Sequence, residues 1–112
     1  MTERKQAAVA VFGGYETRAG DALYATAEAV GRLLAERGCA VMNGGYGGSM
    51  EAVSRGARQA GGRVIGVTCA AFDRAPNRYV SERLHTADLW ERLRVLVERC
   101  DGYIALPGAT GT

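Results

Sequence analysis

Two hydrophobic periods alternate along this chain, and that alternation restricts the fold more than any other feature. Ala8-Val9-Ala10-Val11-Phe12 is a continuous apolar run that stops at Gly13-Gly14, the pattern of a strand buried on both faces. Asp21 to Arg37 then has helical spacing, with Leu23, Ala27, Val30 and Leu34 on one face and Gly38 at the C-cap. Cys39-Ala40-Val41-Met42 reads as a second strand ending at Asn43-Gly44-Gly45. Ser49 can cap a helix carrying Met50, Val53, Ala57 and Ala60, closed by Gly61-Gly62. Val64-Ile65-Gly66-Val67 is a third strand, and Thr68 to Arg78, with Pro76 and Asn77, is a loop. Val80 to His85 fits a short or edge strand, since Glu82 and Arg83 carry charge. Asp88, followed by Glu91 three residues on, starts a helix whose stripe is Leu89, Leu93, Leu96 and Cys100. Tyr103-Ile104-Ala105-Leu106 is the last strand. Strands alternating with helices across short, glycine-marked turns predict an α/β domain with a mainly parallel sheet.

Composition narrows the class. The chain has 112 residues, enough for one small domain. Hydrophobic residues make up 47% and charged residues 23%, as in a globular protein. A net charge of +2 with scattered arginines gives no field for nucleic acid. No apolar run approaches the roughly 20 residues of a membrane span, and Met1 to Gln6 is unlike a signal peptide. Cys39, Cys69 and Cys100 lack any C-x-x-C spacing, so reduced core thiols in a cytoplasmic protein are expected, with no metal site.

Parallel α/β sheets bind ligands beyond the carboxyl ends of their strands. The glycines gather at that edge: Gly13 and Gly14, then Gly44, Gly45, Gly47 and Gly48 before Ser49 and Met50, then Gly108 and Gly111 around Ala109 and Thr110. Any one pair can serve only to make a tight turn; three clusters at one edge point to a nucleotide or phosphate ligand. Glycines let a ligand approach the backbone, and a helix starting after Gly48 adds a positive dipole end. The dinucleotide fingerprint is absent, because Gly13-Gly14-Tyr15-Glu16-Thr17 follows the first strand, Asn43 ends the second, and Met50 stands where a third glycine belongs. No Lys-Ser or Lys-Thr follows the glycines, which sets aside a P-loop.

Gly44-Gly45-Tyr46-Gly47-Gly48-Ser49-Met50-Glu51-Ala52-Val53, paired with Pro107-Gly108-Ala109-Thr110-Gly111-Thr112, resembles the LOG (Lonely Guy) family, formerly described as lysine decarboxylases. That resemblance implies a Rossmann-like fold with helices on both sheet faces. It also implies hydrolysis of the N-glycosidic bond of nucleoside 5′-monophosphates, without metal or redox cofactor, usually by a homodimer. By the same resemblance Arg92 is the catalytic arginine, and Gly108, Ala109, Thr110, Gly111 and Thr112 hold phosphate. The glutamate of the signature would lie three residues beyond Thr112. The chain is therefore expected to be a fragment of a longer chain, lacking the last helix of the fold, with an incomplete, inactive form as the alternative. A related subgroup resembles molybdenum-cofactor carriers, which bind without hydrolysing, so a non-catalytic carrier is the competing class.

Arg92 has two readings from spacing alone. It borders the stripe between Leu89 and Leu96, where a guanidinium can meet a phosphate or ribose oxygen; or it snorkels at the surface and pairs with Asp88. Leu93 stands where the family carries a lysine, Ala109 replaces a signature glycine, and no glutamate precedes the fourth strand. Those departures set the chain apart from plant-type members. His85 reads as structural, Trp90 and Tyr79 as core or dimer packing, and Arg74 and Arg78 as solvated loop charges.

Overall fold

Every strand runs parallel to its neighbours, so each connection has to cross the sheet rather than turn back on itself. The structure, a computed structural model, describes residues 6–107. Its elements are β1 (Ala8–Phe12), α1 (Ala22–Glu36), β2 (Ala40–Asn43), α2 (Ser49–Gln59), β3 (Val64–Cys69), β4 (Glu82–Thr86), α3 (Leu89–Glu98) and β5 (Gly102–Ala105). In space the order is β4-β3-β2-β1-β5. The chain steps outward from β1 to β4 and then returns to the other side of β1. The reversal between β1 and β5 is the switch point at which such sheets open a crevice for ligands.

Sequence explains which strands lie where. All four residues of β2 and all six of β3 are buried, as their unbroken apolar runs require. β4 and β5 form the edges: in β4 only Thr86 is buried, and in β5 half-buried residues alternate with exposed ones. The charges of Glu82 and Arg83 thus sit on an edge strand, where they discourage pairing with another chain. Arg63 and Glu82 form an ion pair there.

Helix ends follow the residues that cap them. Asp88 Oδ1 accepts the Glu91 amide at 2.8 Å, and the Glu91 carboxylate accepts the Ala87 amide at 2.9 Å, a reciprocal cap that opens α3. Gly38 follows the last turn of α1. Asp21 precedes α1, but its carboxylate accepts the Arg18 amide at 3.0 Å instead of capping a helical N–H.

Two cores lie on opposite faces of the sheet. Helices α1 and α2 cover one, with Tyr24, Ala27, Ala52, Val53 and Ala57 packed on Val11, Val41 and Val64. On the other, α3 contributes Leu96 against Ala8, Ala40, Met42, Ile65 and Val67. The stripe expected on α3 is only partly buried: Leu89 and Leu93 are exposed, and so is Trp90 at 78%. Trp90 therefore is not a core residue. The reason is geometric: one short helix cannot cover both the β3–β4 side and the β1–β5 side of the sheet. The thiols of Cys39, Cys69 and Cys100 are free. No helix among the described residues is long and apolar enough to cross a membrane.

Candidate functional site

A cavity of about 930 Å³ lies at the switch point. Its walls come from the end of β1 and the turn after it (Phe12, Gly13, Gly14, Tyr15), from Gly44 and Met50, and from Leu89, Arg92 and Leu93 of α3. Tyr46, Phe72 and Arg74 complete the rim. Most of this wall is apolar, and Arg92 supplies the charge deepest within it.

Arg92 reaches from α3 across the sheet end to the opposite loops. Its Nε donates to the Val67 carbonyl at 2.9 Å and its Nη2 to the Gly44 carbonyl at 3.1 Å. The guanidinium carbon lies 5.5 Å from the Tyr46 ring centre and 5.6 Å from that of Phe72, within cation–π range. Those two rings meet edge to face at 5.4 Å. Asp88 does not pair with Arg92, because its carboxylate is committed to the helix cap. Among the described residues the ion pairs are Arg55–Glu28 and Arg63–Glu82, and neither touches Arg92. Burial pushes the Arg92 pKa down, and the Tyr46 and Cys69 side chains oppose that shift electrostatically. A desolvated arginine without a carboxylate is a cation prepared for an anionic partner.

The glycine loop is shaped around this arginine. A side chain at Gly44 would occupy the space of the Arg92 guanidinium and displace it from the Gly44 carbonyl. Asn43, fully buried at the end of β2, holds the loop: its Oδ1 accepts the Gly45 amide at 2.7 Å and its Nδ2 donates to Ser54 Oγ at 2.8 Å. Asn77 ties the long loop to the same turn, its amide donating to the Gly45 carbonyl at 2.7 Å and its Nδ2 to the Tyr46 carbonyl at 2.8 Å. Tyr46 is fixed in turn by the Cys69 amide, which donates to its hydroxyl at 2.9 Å.

The glycine clusters therefore divide. Gly13, Gly14, Gly44, Met50 and Arg92 face the cavity. Gly45, Gly47, Gly48 and Ser49 do not line it. Gly48, at φ +70°, lets the backbone of Gly14 and Tyr15 pass where a side chain would stand. The Ser49 amide donates to the Gly14 carbonyl at 2.8 Å, and its hydroxyl bonds Thr17 Oγ1 at 3.3 Å. One of the free N–H groups expected at the start of α2 is thus used within the chain. Gly108, Ala109, Thr110, Gly111 and Thr112 lie outside the described residues. His85 stands away from this cavity, bonded to Thr68 Oγ1 at 2.8 Å. Arg78 stacks on Tyr79 with 5.0 Å between guanidinium carbon and ring centre.

Sequence reasoning missed Tyr46, Phe72 and Asn77. A large aromatic wedged between Gly45 and Gly47 is a signal that the turn closes over something. Nothing in the spacing of the 68–78 loop singles out Phe72 or Asn77.

Comparison with known proteins agrees with this architecture. The chain is 35% identical over 86 residues to the cytokinin riboside 5′-monophosphate phosphoribohydrolase of Mycobacterium tuberculosis, covering 74% of this chain and 46% of that one. The X-ray structure of TM1055 superposes with a TM-score of 0.80 at 33% identity, covering 92% of this chain and 62% of that one. The molybdenum cofactor binding protein of Rippkaea orientalis superposes with a TM-score of 0.82 at 25% identity, covering 93% and 64%. The chain spans about half the length of the curated relatives it matches. The profile of the SLOG cluster4 family matches residues 6–112, nearly the whole sequence, and the chain belongs to that family.

Proposed function

We propose that the protein is a nucleoside 5′-monophosphate phosphoribohydrolase, which cleaves the N-glycosidic bond to release base and ribose 5-phosphate. The observation that carries this reading is Arg92: desolvated, anchored on the Val67 and Gly44 carbonyls, and facing a cleft of nucleotide size. Glycosidic cleavage develops positive charge on the sugar and needs a carboxylate and a water. In this reading the carboxylate is the signature glutamate beyond Thr112, and Gly108 to Thr112 hold the 5′-phosphate. Arg92 holds a phosphate or ribose oxygen and balances charge as the bond breaks. Similarity to the Mycobacterium tuberculosis phosphoribohydrolase supports the same reaction class. A homodimer belongs to this reading as well, since Trp90 and Val97, outside the cleft lining, leave the outer side of α3 apolar and exposed.

A carrier that binds a phosphorylated cofactor without hydrolysis is the second reading, favoured by the likeness to the Rippkaea orientalis protein. Incubating the full-length protein with AMP and following free adenine separates the two. The hydrolase reading expects adenine release, with Arg92→Ala slower by about 100-fold or more. Binding of AMP without release supports the carrier. Adenine appearing equally fast from the variant would remove Arg92 from the mechanism.

A further inference from the structure

A second cavity of about 510 Å³ opens beside the first, and Phe72 and Arg74 line both. Arg83 and His85 of β4 form its floor, and Asp73 is its one carboxylate. Arg83 is an exposed side chain on an edge strand, yet it is held in place. Its Nε donates to Thr68 Oγ1 at 2.9 Å, and its Nη2 lies 3.2 Å from His85 Nδ1. Thr68, fully buried, stands 2.8 Å from the same nitrogen. One arrangement of protons satisfies this triangle. With the His85 proton assigned to Nε2, the Thr68 hydroxyl donates to the Nδ1 lone pair and Arg83 Nε donates to Thr68 Oγ1, while Arg83 Nη2 shares that single lone pair at the longer distance.

The neighbouring edge residue makes a useful contrast. Glu82 is paired with Arg63, whereas Arg83 has no carboxylate partner among the described residues. Blunting the edge needs only a charge; it does not need an arginine fixed by two side chains, at a cost of side-chain entropy. An oriented, unpaired guanidinium with spare N–H groups matches the geometry of a phosphate or carboxylate. Arg74, shared by both cavities, extends the positive lining from one to the other.

We propose that this second cavity is an anion subsite, and that the ligand of the main cleft carries a second anionic group which Arg83 receives. The inference rests on the nucleotide reading of the main cleft and narrows it. The ligand class is a nucleotide bearing a phosphate or carboxylate beyond the single 5′-phosphate. His85 Nε2–H and Arg74 add donors around that group, while Asp73 repels a misplaced one.

Calorimetric titration of the full-length protein with AMP, ADP and adenosine 3′,5′-bisphosphate tests the subsite. At least one two-phosphate ligand should bind about ten-fold more tightly than AMP, as one added charge-assisted hydrogen bond predicts. Arg83→Gln should erase that advantage and leave AMP affinity unchanged; Arg83→Lys should keep part of it. Equal affinity for all three ligands, or an advantage that survives Arg83→Gln, overturns the subsite. If none of the three binds, the nucleotide reading of the main cleft fails, and pyrophosphate alone decides the subsite. Pyrophosphate binding that depends on Arg83 then sustains it, while no binding, or equal binding to the variant, overturns it.

Discussion

The two faces of the sheet are built differently. On one, α1 and α2 lie so close that a side chain at Gly31 would enter the Val53 carbonyl, and one at Gly56 the Glu28 carbonyl. That face is sealed by small residues and carries the larger core. On the other, α3 is the one helix among the described residues, and it buries Leu96 while Leu89, Leu93 and Val97 stay exposed. The difference teaches where rigidity and function reside. The sealed face fixes the loops that end β1 and β2; the open face supplies the helix that sends Arg92 across to them. The candidate site sits on the seam between the two.

The largest effect should come from breaking the sealed face. Gly56→Val puts a branched side chain where the Glu28 backbone passes, and α1 and α2 must separate to admit it. We expect a loss of about 3 kcal/mol or more, a large share of a small domain's stability. Urea denaturation of the full-length protein reads it. A variant as stable as wild type would mean the helices do not meet as closely as the glycines require.

The open face should respond position by position. Leu96→Ala removes the one side chain that α3 buries, with an expected cost of about 2–4 kcal/mol. Leu93→Ala, one turn away and exposed, should cost well under about 1 kcal/mol in the same assay. Equal losses at the two positions would show that α3 is covered along its length, and the contrast between faces would disappear.

Periodicity made the fold legible. β2 and β3 are continuous apolar runs because a central parallel strand meets a helix layer on each side, and the glycine turns after β1 and β2 marked the expected ligand edge. The same reasoning over-buried α3, since a stripe such as Leu89, Leu93 and Leu96 says which side is apolar, not how much of it a partner covers. Only the family resemblance points Arg92 into the site; spacing alone favours a surface arginine paired with Asp88. What decides its position is tertiary: the Val67 carbonyl, 25 residues away in sequence, and the Gly44 carbonyl, 48 away. Gly44 and Gly48 look alike in sequence and do different work. One leaves room for an arginine facing the cleft; the other lets the Gly14–Tyr15 backbone pass behind it.

The smallest effect sharpens the comparison most. Trp90 is the most exposed large apolar side chain among those described, at 78%, and it buries too little surface to stabilise the domain. Trp90→Ser should therefore change unfolding free energy by no more than about 0.5 kcal/mol if solvent covers the outer side of α3. In a homodimer that uses this side, the same change should leave the fold intact yet weaken association. Unfolding would then depend on protein concentration in the wild type and lose that dependence in the variant. Sedimentation of the two proteins distinguishes the outcomes without reference to activity. The open face is open for a reason only in the second case, where the helix that carries Arg92 is also the helix held by a second copy.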